Sequence, residues 1–221
     1  LRLLISGFEP FGSMTRNPTS DLVNWVSKRG FGQHVTLETL VLPVVYKECD
    51  VQLIKKVEDY HPDFVICLGV AVGRSAINLE RIAINLQDSA GEGSIGDNSG
   101  DRPVNRVIVE GGPDGIFATL PLGRLYQALK KQSIPAYISN SAGTYICNTT
   151  LYSLLYHIKL KEMNIQAGFI HVPATPDMAV NNPALSTMAI ETQQKALSVI
   201  INTLMNEYIF DDNDKVKGDC I

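Results

Sequence analysis

Short apolar runs alternate with segments of helical period along the whole chain. The runs at 1–6 (LRLLIS), 35–42 (VTLETLVL), 63–69 (DFVICLG), 81–87 (RIAINLQ), 106–112 (RVIVEGG), 136–141 (AYISNS) and 167–173 (AGFIHVP) predict strands. Several are apolar almost throughout, as strands covered on both faces are. Between them, Cys147, Leu151, Leu154, Leu155 and Ile158 share one stripe of a helix over 146–160, and Leu197, Ile200, Ile201 and Leu204 do so over 186–208. Shorter helices are predicted at Ser20–Arg29 and Lys47–Tyr60, and Pro121 opens another that runs to about Lys131. Strands joined by crossover helices make an α/β fold. One domain over 1–209 accounts for the pattern, and the charged, aperiodic stretch 210–221 reads as a frayed tail.

Composition narrows the function. With 45% hydrophobic and 19% charged residues in 221, the chain can bury a full core, which excludes disordered and fibrous classes. Nineteen basic against 23 acidic side chains, with no basic stretch interleaved with aromatics, argue against nucleic acid as a partner. No apolar run approaches the ~18 residues of a membrane span, and LRLLIS is too short for a secretory segment. A cytoplasmic protein is expected. The cysteines, Cys49, Cys67, Cys147 and Cys220, lie far apart without CxxC spacing, so free thiols are expected rather than a disulfide framework or structural zinc.

Residues 87–103 (QDSAGEGSIGDNSGDRP) hold four glycines and almost nothing apolar, and read as a lid or rim. Gly91, Gly93 and Gly96 spell GxGxxG, yet the chain continues through Asp97, Gly100, Asp101 and Pro103 instead of opening the helix that a pyrophosphate needs. The stretch also lacks the glycine and final Glu of a calcium loop. No cofactor is expected there.

SNSAGTYICN (139–148) carries the chain from a strand to an amphipathic helix with Cys147 at the junction. Backbone N–H groups and the helix dipole favour a thiolate there and can stabilise an oxyanion. Alignment with Leu151 and Leu154 equally allows a small buried hydrophobe, and both readings stay open. Cys67, mid-strand among large apolar neighbours, is expected to be core. Among the histidines, His34, His61 and His157 have surface or rim explanations, whereas His171 ends a strand at the sheet edge where α/β ligands bind. The same edge is expected to receive the loop before Cys147. Glu80 stands at the threshold of an apolar strand, as the orienting carboxylate of a triad or as an ion-pair partner of Arg74 or Arg81.

Taken in order, GFEPFG (7–12), NPT (17–19), LERIAIN (79–85), SNSAGTYICN (139–148) and HVP (171–173) resemble the pyroglutamyl-peptidase I family of cysteine peptidases. The resemblance covers almost all of 3–205. It implies a three-layer α/β/α sandwich around a twisted, mostly parallel sheet, and removal of an N-terminal 5-oxoproline from peptides without metal or organic cofactor. It assigns catalysis to Glu80, Cys147 and His171, and places the lactam ring between Phe8 and Phe11. Asn17 then supports that loop, and main-chain groups near Tyr145 and Ile146 recognise the lactam. Val70 stands in the pocket where many bacterial relatives carry Gln, and the glycine-rich loop is longer than usual around 89–96, so the resemblance assigns no residue to the family's substrate-adjacent arginine there. A homotetramer is likewise implied. Fold alone also admits a nucleoside-handling protein or a silent binder of peptide N-termini.

Overall fold

Successive strand residues point to opposite faces of a sheet, and here both faces are apolar and covered. The computed structural model describes residues 1–32, 35–90 and 96–218, with side chains through residue 208. Its elements are β1 (Arg2–Phe8), α1 (Pro18–Ser27), β2 (Thr36–Leu42), α2 (Cys49–Tyr60), β3 (Phe64–Val70), β4 (Ile77–Glu80), β5 (Ile82–Ile84), β6 (Gly115–Phe117), α3 (Leu122–Lys131), β7 (Ala136–Ser139), α4 (Ile146–Leu160), β8 (Gln166–Val172) and α5 (Ile190–Gly218). Six strands form one sheet in the order β2-β1-β3-β8-β4-β7, and β5 and β6 make a separate ribbon. β1, β2, β3 and β8 are parallel, while β4 runs against β8 and pairs in parallel with β7.

Leu3, Ile5, Ile66, Leu68, Ile77, Leu79, Ile170 and Val172 pack on one face with Leu22 of α1, Leu125 of α3 and Leu197 of α5. Leu4, Val65, Cys67, Ala167 and Phe169 pack on the other with Leu53 of α2 and Leu151 of α4. The result is a single-domain α/β/α sandwich around a mostly parallel mixed sheet. Parity has a direct consequence for chemistry. Glu80 and His171 alternate with Leu79 and Ile170, so they face the α2/α4 layer that carries Cys147.

Several local expectations are corrected. The run 81–87 supplies only the short β5, paired with β6 outside the main sheet, and the sheet strand is instead the preceding INLE of β4. Residues 106–112 form no strand beyond one bridge between Arg106 and Gln87. There Asn85 takes the place of a neighbouring strand: its Oδ1 accepts from the N–H groups of Ile108 and Val109, and its Nδ2 donates to the Val109 carbonyl. The last helix starts at Ile190 rather than 186 and continues past residue 209, into the stretch read from sequence as a tail. His34, Gly91, Gly93 and Cys220 lie outside the described residues.

Candidate active site

α1 begins where a sequence rule demands it. Asn17 caps the helix, its Oδ1 accepting from Thr19 N–H at 3.0 Å, and Pro18 occupies the first helical position. Asn17 Nδ2 reaches back to the Glu9 carbonyl at 3.0 Å, which fixes the turn after β1 that presents Phe8 and Phe11. Phe8 is buried, and its ring stands 6.3 Å from that of Phe169 between centroids. Phe11 lies 6.1 Å from Tyr145 in the same sense.

α4 begins at Ile146, so Cys147 is its second residue, with no capping bond from the Tyr145 side chain at this end and no acidic residue in the first turn. The expected route to this position is only partly right. Because β7 runs against β8, its end at Ser139 lies level with Glu80, which is itself paired with Phe169 in the middle of β8. The chain then turns back to the sheet edge over 140–145, where Gly143 takes the left-handed φ of 80° that the reversal needs.

One pocket of about 160 Å³ gathers these parts. Phe8, Phe11, Asn17, Val70, Tyr145, Ile146, Cys147 and His171 all line it, joined by Gly69, Ala142, Gly143 and Arg74. Glu80 stands behind them, fully buried, with Oε1 2.8 Å from His171 Nδ1. With Glu80 ionised, that nitrogen carries the ring proton and Nε2 is left as the basic one. The imidazole is 4% exposed and lies 4.8 Å from the Phe169 ring, which restricts its rotation. Cys147 is partly exposed, whereas Cys49 and Cys67 are buried. Burial pushes both of those thiols up to about 12, opposed at Cys49 by a hydrogen bond from Thr150. They are core groups.

Residues 96–101 of the glycine-rich stretch form a rim. Asp97 Oδ1 accepts from the N–H groups of Ser99 and Asp101, and its Oδ2 accepts from Tyr46 N–H at 2.8 Å. Burial opposes ionisation of Asp97, yet these donors together hold its carboxyl below the usual value. Asn98 Nδ2 donates to both Glu9 Oε1 and the Pro10 carbonyl at 3.0 Å, and Tyr145 Oη donates to the Gly96 carbonyl at 2.9 Å. The rim is thus stapled to both aromatic walls. Sequence reasoning missed Glu9, Asp97 and Asn98, since polar loop contacts leave no periodic signal.

Between the two arginines considered as partners of Glu80, the structure chooses Arg74, at 2.8 Å. Arg81 is one residue further along the chain and exposed. Among the described residues no helix is long and apolar enough to cross a membrane, and no group of three or more His, Cys, Asp or Glu side chains is placed to hold a metal ion.

The family model for pyroglutamyl peptidase matches residues 1–207. A pyrrolidone-carboxylate peptidase of Brachyspira hyodysenteriae is 40% identical over 92% of this chain and 98% of its own length. One from Thermococcus onnurineus is 41% identical with the same coverage. Among solved structures, a pyrrolidone carboxyl peptidase variant from Pyrococcus furiosus superposes with a TM-score of 0.88 at 36% identity, covering 94% of this chain and all of that one. Pyroglutamyl peptidase I from Bacillus amyloliquefaciens gives 0.85 at 33% identity, covering 91% of this chain and 93% of its own. The chain belongs to the pyroglutamyl peptidase family and is a cysteine-type hydrolase.

Proposed function

We propose that this protein hydrolyses the bond after an N-terminal pyroglutamyl residue of peptides, with Cys147 as nucleophile, His171 as general base and acid, and Glu80 as the carboxylate that orients the imidazole. The observation that carries the reading is the 2.8 Å bond from His171 Nδ1 to a fully buried Glu80, with His171 and Cys147 opening on one aromatic pocket. His171 Nε2 takes the thiol proton as Cys147 Sγ attacks the carbonyl carbon after the lactam ring, and returns it to the departing amine. Water, deprotonated by the same nitrogen, then cleaves the thioester and releases 5-oxoproline. Main-chain N–H groups at the start of α4 stabilise the tetrahedral oxyanion.

A 5-oxoprolyl group is uncharged, flat and partly apolar, so a small slot bounded by Phe8 and Phe11 suits it. At about 160 Å³ the pocket lies below the roughly 300–1,000 Å³ range of drug-sized ligand sites. Polar groups near Tyr145 and Ile146 meet the ring carbonyl, and proline, which lacks it, leaves them unpaired. The buried Val70 adds shape and no hydrogen bond to this pocket. Action on peptides in a reducing, cytoplasmic setting keeps Cys147 a thiol, and a homotetrameric assembly is checked by light scattering.

The test is release of a chromophore from a pyroglutamyl amide. Cys147→Ala should abolish it, and iodoacetamide should inactivate the wild type unless a 5-oxoproline analogue protects it. Turnover by the Cys147→Ala protein at the wild-type rate would refute the mechanism. Protection without turnover would indicate a silent binder.

A further inference from the structure

A carboxylate taken out of water must be paired with a cation or it takes up a proton. Glu80 is fully buried, and among the described residues its Oε2 has no hydrogen-bond partner. Both of its contacts therefore fall on Oε1, from His171 Nδ1 and Arg74 Nη1, each at 2.8 Å. A neutral imidazole supplies a donor and no charge. The compensating positive charge comes from Arg74.

Arg74 is itself held in place. Gly73, at φ 90°, closes a turn in which Arg74 N–H donates to the Ala71 carbonyl at 3.2 Å, and Arg74 Nη2 reaches the Ser141 carbonyl at 3.4 Å. One guanidinium thus spans the β3–β4 turn, the end of β4 and the loop leading to Cys147. It is 32% exposed along the pocket wall. The titratable and charged groups facing the pair are His171 from β8, Arg74 from the turn, and Cys147 from α4 across the pocket.

We propose that Arg74 is a positioning residue: it is the charge partner of the buried Glu80, holds that carboxylate in line with His171 Nδ1, and through Glu80 keeps the imidazole aligned for Cys147. The proposal rests on the reading of Glu80, Cys147 and His171 given above. Loss of the cation leaves the buried Glu80 carboxylate without a charge partner, so the acceptor that fixes His171 is no longer held in place.

The experiment is kcat and KM on a pyroglutamyl amide for the wild type, Arg74→Gln, Arg74→Lys, Glu80→Gln and Glu80→Gln/Arg74→Gln, with thermal melts to confirm folding. Arg74→Gln should lower kcat about tenfold or more while KM stays within about twofold, because the base is misaligned and the substrate slot is intact. Arg74→Lys, which keeps the charge, should restore most of kcat. In the Glu80→Gln background the second substitution should change nothing. An unchanged kcat in Arg74→Gln, or an equal effect in both backgrounds, overturns the proposal. Full activity in Glu80→Gln alone overturns the triad instead. Should Arg74→Gln not fold, the two variants carrying Glu80→Gln bury no carboxylate and decide the question: equal kcat supports the role, and a further loss removes it.

Discussion

Gly69 stands where the sheet meets the thiol, and Gly69→Ala tests the packing of the whole site with one methyl group. A Cβ built there lies 2.7 Å from two ring carbons of Phe169 and 3.0 Å from Cys147 Sγ. Carbon contacts are comfortable at ~3.5–4.0 Å, so the new methyl overlaps on both sides. The ring cannot withdraw, because Phe169 is fully buried between Phe8 and His171. Overpacking of this kind costs about 1–3 kcal/mol. For a chain of this size each kcal/mol lowers Tm by ~2–4 °C, giving a fall of about 2–12 °C. The thiol is the softer neighbour and gives way by several tenths of an ångström. A misplacement of about 1 Å can cost ~100-fold, so kcat/KM should drop roughly 10- to 100-fold. Calorimetry reads the first effect, and amide hydrolysis with the rate of iodoacetamide capture reads the second. A protein that melts and turns over like the wild type refutes the claim that Gly69 is small in order to seat the thiol against Phe169.

Other predictions follow from the same geometry. Cys67→Ala should keep kcat/KM within about twofold and alter only stability, since Cys67 is a core thiol; a large loss of activity at normal Tm contradicts its exclusion from the site. Phe11→Ala should raise KM by about tenfold or more with little change in Tm, because Phe11 is a half-buried wall of the slot; an unchanged KM argues against ring binding there. Asp97 is held below its usual value, so its contribution to stability is fully present above about pH 4 and is lost as pH falls through the lower folded value. Asp97→Asn should therefore flatten the acid side of a Tm-against-pH curve, and an unaltered curve speaks against the rim staple.

Much of this protein is legible in one dimension. The helix expected from Ser20 exists but starts two residues earlier, at Pro18 behind the Asn17 cap, while the stripe of Leu151, Leu154 and Leu155 marks α4, and the continuous apolar runs of β1, β3 and β8 mark strands buried on both faces. These signals are local, and nothing elsewhere in the fold reverses them. The candidate residues of the pocket are legible for a related reason. A cysteine at a strand-to-helix junction and a histidine at a strand end carry their electrostatic setting in their immediate neighbours.

What the chain could not state is whatever depends on contacts between distant segments. INLE is only four residues long, and its strand identity comes from pairing with β7 and β8. RVIVEGG has a strand's composition but finds the side chain of Asn85 in place of a partner strand. The choice of Arg74 over Arg81 for Glu80 is also tertiary, because the two lie on opposite sides of Glu80 in sequence and only the turn through Gly73 folds one of them back. Residue type and spacing thus set which groups were available and the period of each element. Strand pairing and direction, which depend on segments far apart in sequence, set which of those groups meet at 2.8 Å.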